Sequence, residues 1–190
     1  MKKLSALLIA LMLTVSCIPF APAEEAAKPA SHILVVYFSA TGTTRGVAEK
    51  LAEGLSADLY EIVPQEPYTD ADLDWNDSTS RTSIETEDRN CRPAIAGELP
   101  DLAAYDTLFI GYPIWWGDTP RIVSNFVEQV DLTGKTLAVF FTSGSSGLGS
   151  SMKHLEQQSG AGKWLEGKRF TARTTVEALV NWAKGLGIEP

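Results

Sequence analysis

The chain has 190 residues, 44% hydrophobic and 21% charged, which suits one domain with a real core and excludes a disordered protein. Its 16 Lys and Arg against 24 Asp and Glu leave a net charge of −8. That argues against nucleic acid, whose binding needs clustered Lys and Arg to neutralise phosphates. Cys17 and Cys91 are the only cysteines and His32 and His154 the only histidines, which excludes a disulfide scaffold and a Cys- or His-rich metal centre.

Met1-Lys2-Lys3 followed by the apolar run Leu4–Val15 has the basic-then-apolar order of a secretory signal peptide over residues 1–23. Pro19 and Pro22 interrupt the uncharged stretch, and no basic stop-transfer charges follow, so a permanent anchor helix is the weaker reading. Two processing sites compete. Ala21-Pro22-Ala23 has the small-x-small form of a signal-peptidase site. Thr14-Val15-Ser16-Cys17 resembles a lipobox, with Thr14 where that motif carries an aliphatic residue, and it would place a lipid on Cys17. Both routes export the protein, to the periplasm or cell envelope, and leave Cys91 as its one free thiol. Residues 24–31 read as a tether to a domain spanning 32–190.

His32–Phe38 is a short, nearly all-apolar run, as expected of a strand buried on both faces of a parallel sheet. Ser39–Thr44 is turn chemistry. Val47, Ala48, Leu51 and Leu55 then recur at helix spacing over 45–55. Residues 59–63 suggest a second strand. The polar, acidic, Pro-punctuated segment 64–100 is too long to be idle inside a compact domain. Thr107–Tyr112 is the third strand, and Pro120 opens a helix to about Gln129, a position where proline is tolerated. Thr136–Phe141 is the fourth strand, followed by a helix over 150–158. A weaker fifth strand falls within 163–171. Thr174-Thr175-Val176-Glu177 has the form of a capping box opening a last helix to Leu186.

Strands and helices alternate five times, which implies an α/β fold with a parallel sheet covered on both faces. Ligands of such sheets sit at the carboxyl ends of the strands, so the loops after strands one, three and four carry the information. The first offers the hydroxyls of Ser39, Thr41, Thr43 and Thr44, with Gly42 admitting close backbone approach to an anion at a helix N-terminus. It lacks the Gly-Lys-Ser/Thr of a triphosphate loop and the Gly-x-Gly-x-x-Gly of a dinucleotide site. The second, Pro113-Ile114-Trp115-Trp116-Gly117, sets two tryptophans side by side, which suits a flat aromatic ligand. The third, Thr142-Ser143-Gly144-Ser145-Ser146-Gly147, supplies small residues and amides. A hydrolase nucleophile at Ser145 or Ser146 is the weaker reading, because Leu148 stands where the Gly-x-Ser-x-Gly elbow around Ser146 needs its second glycine. His154 reads as a solitary surface histidine.

The window Val35–Leu51, with Ser39, Gly42, Thr44, Ala48 and Leu51 in their places, resembles the flavodoxin signature, and the likeness extends over about 31–188. The Pro-x-Trp-Trp-Gly wording is similar to an exported bacterial flavodoxin-like subfamily. That subfamily also shares a segment like Asp72-Leu73-Asp74-Trp75, Ser80-Arg81 and Arg92-Pro93. The resemblance implies a doubly wound, five-stranded parallel sheet of order 2-1-3-4-5. It implies FMN as cofactor, its phosphate on Ser39–Thr44, its ring against Trp115 or Trp116, and the ring edge on Thr142–Gly147. It implies electron transfer to a redox partner protein or a small donor or acceptor, with no catalytic side chain and no metal. An FMN-dependent NAD(P)H or quinone oxidoreductase of the same fold is the alternative, and a flavin-binding module without turnover the third. A membrane enters only through a lipid on Cys17.

Overall fold

The computed structural model describes residues 32–189; the leader 1–23, the tether 24–31 and Cys17 lie outside them. Strand β1 (Ile33–Tyr37) is buried throughout, and its pleat divides it between two cores. Ile33, Val35 and Tyr37 face one side, while Leu34 and Val36 face the other. Helix α1 (Thr43–Leu55) follows, then β2 (Asp58–Glu61). Next come α2 (Arg81–Glu87), β3 (Thr107–Pro113), α3 (Arg121–Gln129), β4 (Thr136–Thr142) and α4 (Ser151–Ser159). The chain closes with β5 (Lys163–Trp164), β6 (Lys168–Phe170) and α5 (Val176–Gly185).

The strands pair in parallel in the order β2-β1-β3-β4-β5, with β6 also on β4. This is the doubly wound α/β sheet the alternation implies. Helices α1 and α5 cover one face, where Val47, Leu51 and Leu179 are fully buried. Helices α3 and α4 cover the other through Ile122, Phe126 and Leu155. The strand expected in 163–171 is two pieces instead of one. Lys163–Trp164 lies beside Thr136–Leu137 and Lys168–Phe170 beside Phe140–Thr142, and the chain leaves the ladder at Glu166–Gly167.

One further expectation is corrected, and another gains detail. Thr175, one residue later than the capping-box reading, caps α5 by accepting from the Ala178 amide, while the Thr174 hydroxyl accepts from the Thr171 amide. Glu177 is thus a first-turn acid favoured by the helix dipole, and the reciprocal box does not close. Segment 64–100 is also more ordered than a plain loop. Pro64 and Ile95 form an antiparallel bridge at its base, and α2 crosses its middle with Ser80 as N-cap. Tyr68, Ile95 and Leu99 pack on the second core. The segment is therefore an excursion closed at its foot, and it stands over the carboxyl end of the sheet.

Candidate functional site

The loops after β1, β3 and β4 meet the excursion around a cleft of about 590 Å³, within the range of small-molecule sites. In the first loop Gly42 takes φ +83°, a left-handed conformation natural to glycine, and turns the chain into α1 without any side-chain cap. The first-turn amides of α1 are therefore left for a ligand, and the helix dipole favours an anion there. Ser39 Oγ is buried with no hydrogen-bond partner, an orphaned polar atom in a cleft wall. Arg45, the one charged side chain in this first turn, reaches away to Glu61, so the cradle presents neutral donors. Thr41, Gly42 and Thr43 are exposed. Thr44 is buried, and its hydroxyl shares a 2.8 Å bond with Thr142, tying the first loop to the end of β4.

The second loop is a tight hairpin. Trp115 and Asp118 exchange both backbone hydrogen bonds, at 3.0 and 2.8 Å. Trp116 and Gly117 make the turn at φ +47° and +73°, the positive pair that such a two-residue connection requires. The adjacent tryptophans consequently part company. Trp115 turns inward, edge-on to Phe38 at 5.5 Å and to Tyr68 at 5.4 Å. Trp116 stands at the rim, 48% exposed in a backbone conformation that a bulky residue seldom adopts.

Beneath this hairpin lies a buried ionic cluster. Asp118 accepts from His154 Nδ1 at 2.9 Å, from Arg121 at 3.1 Å and from the Thr119 amide at 2.8 Å. Burial opposes its charge, but the bonds from His154, Thr119 and Arg121 outweigh that and hold the carboxyl below its usual range. Arg121 also donates to the Glu85 and Thr86 carbonyls at the end of α2, at 3.2 and 2.6 Å. One guanidinium therefore links the Trp116 hairpin to the excursion that carries Trp75. His154 is thus no solitary surface residue. Its pairing with Asp118 orients the imidazole, and among the described residues no hydroxyl bonds to its other nitrogen.

The excursion wall is itself braced. Tyr68 donates to Glu85 at 2.6 Å, Arg81 does so at 2.6 Å, and the Arg81 guanidinium lies 4.0 Å from the Tyr68 ring centroid. Burial and the Glu85 bond push the Tyr68 phenol well above its usual range. In the third loop, Ser143 bonds the Ser146 carbonyl, and Arg169 of β6 holds the Ser143 and Gly144 carbonyls at 3.1 and 2.7 Å.

Of the expected site residues, Ser39, Thr41, Thr44, Pro113, Ile114, Trp115, Trp116, Gly144 and Ser145 line the cleft. Gly42, Thr43, Gly117, Thr142, Ser143 and Gly147 shape its loops without lining it. The sequence reading missed Ala40, Leu73, Trp75 and Thr82 as wall residues; Ser146, within the expected Thr142–Gly147 loop, also lines the cleft. Trp75 carried a signal, being a tryptophan in an otherwise polar acidic stretch, but only folding brings it across from Trp116.

The flavodoxin family model matches residues 32–186. The chain belongs to the flavodoxin family. This flavodoxin-family chain is 46% identical to a proposed flavoprotein from Bacteroides eggerthii, at TM-score 0.78, over 83% of this chain and 98% of that one. It is 43% identical to another from Bacteroides uniformis, at TM-score 0.77, over 82% and 99%. A flavoprotein from Lactobacillus acidophilus, solved in complex with FMN, shares the fold at 23% identity and TM-score 0.61, over 72% and 91%. No curated protein matches the chain.

Proposed function

We propose that this protein binds FMN in the cleft and carries electrons between partners outside the cytoplasm. The observation that carries the reading is the buried, unpartnered Ser39 hydroxyl beside the uncapped N-terminus of α1. A phosphate monoester, with about two negative charges, satisfies both the orphan hydroxyl and the orphan amides. Membership of the flavodoxin family and the FMN held by the Lactobacillus acidophilus relative support the choice of ligand.

In this assignment Ser39, Thr41 and the amides after Gly42 hold the phosphate, Trp116 covers the ring, and Gly144, Ser145 and Ser146 line its edge. Bound FMN supplies one- and two-electron redox chemistry. The chain binds and orients it, and its overall net charge of −8 disfavours adding electrons. The acidic surface suits docking to a basic redox protein, and the leader motif supports export. The test is to purify the protein, denature it, and identify the flavin released. FMN at one per chain is expected; FAD, or no flavin uptake after incubation with FMN, refutes the reading.

A further inference from the structure

Beside the cleft lies a second groove of about 420 Å³, and the same two indoles, Trp75 and Trp116, wall both. Trp75 is 74% exposed and Trp116 48%. Neither indole makes a ring contact among the described residues, unlike Trp115, Trp164 and Trp182, which are packed or hydrogen-bonded. Paired exposed indoles beside a cavity mark a place where a flat molecule is covered.

The polar side of the groove narrows the choice. Arg89 and Glu87 both line it, and neither side chain has a hydrogen-bond or ion-pair partner among the described residues. Their charges offset one another, so a ligand with net charge gains little. The guanidinium has donors and no acceptor, so it selects a ligand bearing acceptor oxygens. Ser78, exposed on the same wall, adds another hydroxyl.

We propose that this groove binds a neutral, planar aromatic carbonyl compound of the quinone class. Its ring lies against Trp75 and Trp116, and a carbonyl oxygen accepts from Arg89. The inference deepens the electron-transfer reading by naming the small partner that meets the protein beside the cleft. The groove shares its two indole walls with the cleft, so such a partner would lie next to the bound cofactor. The site itself, however, is defined by residues of the excursion and the hairpin alone.

The test uses duroquinone, whose fully substituted ring cannot add to the Cys91 thiol, titrated calorimetrically into FMN-saturated and FMN-free protein. One site is expected in both preparations. Arg89→Gln, an exposed position outside the cleft, should weaken duroquinone binding about tenfold, the worth of about 1.4 kcal/mol, and leave FMN affinity unchanged. Absence of binding, equal binding by Arg89→Gln, or displacement of FMN by duroquinone overturns the proposal. So does tighter binding of anthraquinone-2-sulfonate than of duroquinone, because that shows selection for an anion. Failure to take up FMN sinks the cofactor reading, while the titration of FMN-free protein still decides the groove.

Discussion

The carbonyl oxygen of Gly117 occupies the space that a side chain on Gly149 would need. The tip of the Trp116 hairpin is thereby seated on the loop after β4, where Ser150 donates to the same carbonyl at 3.3 Å. Gly149 also has φ +59°, so a substitution there meets both backbone overlap and backbone strain. Gly149→Ala is expected to destabilise the protein by about 2 kcal/mol and to weaken FMN binding by shifting Trp116. Gly147→Ala, where a Cβ has open space, should leave stability unchanged. Thermal unfolding of the two variants side by side checks this, and equal melting temperatures would show that the clamp yields.

Ser39→Ala separates binding from folding. Its hydroxyl is buried without a partner, so removing it should leave stability unchanged or slightly improved. If the hydroxyl serves a phosphate, FMN affinity should fall about ten- to a hundredfold, as expected for losing a hydrogen bond to a charged group. Fluorescence titration of FMN reads the loss. Unaltered affinity would move the phosphate elsewhere.

The tryptophans should answer differently. Trp115→Ala removes a ring packed edge-on against Phe38 and Tyr68 and should cost about 3 kcal/mol of stability. Trp116→Ala removes an exposed ring and should barely alter stability, but should weaken FMN binding about three- to tenfold through lost stacking. Denaturant midpoints and FMN titrations on both variants give the comparison. The opposite pattern would place the ring against Trp115.

Asp118 sets an acid-side dependence. Its folded-state carboxyl lies below the usual range, so its contribution is fully present above the unfolded value, near pH 4, and is lost as pH falls through the lower folded value. Asp118→Asn leaves Arg121 buried without its counter-charge and should cost about 3 kcal/mol at pH 7. The difference from wild type should shrink below pH 4. Urea unfolding at pH 7 and pH 3 measures it, and a gap that stays constant would show that the carboxylate is not what holds the cluster.

Export predicts a shortened chain. The mature N-terminus should be Glu24 after signal-peptidase cleavage, or a lipid-modified Cys17 by the other route. Cell fractionation with mass spectrometry of the N-terminus distinguishes them, and full-length protein in the cytosol refutes both.

Most of the fold was legible because burial on two faces writes itself into composition. Runs such as Ile33–Tyr37 and Thr136–Thr142 are apolar on both faces, a pattern only a covered parallel strand needs. Edges were less legible. The last strand carries Lys163, Lys168 and Arg169 around Gly167, and without continuous apolar pressure its break did not show. The cap of α5 slipped by one residue because Thr174 and Thr175 are chemically equivalent until the backbone chooses between them.

The sequence by itself determined the sheet, the order of its layers and the neutral hydroxyl loop at the start of α1, because periodicity and turn chemistry are local. Only the tertiary structure decided that Trp115 packs edge-on against Phe38 and Tyr68 while Trp116 stays exposed at the rim, since a two-residue hairpin sends adjacent side chains to different surroundings. It alone paired His154 with Asp118, 36 residues away, and made Arg121 the link between the hairpin and α2. It alone brought Trp75 opposite Trp116. These are contacts between segments distant along the chain, and no local pattern encodes them.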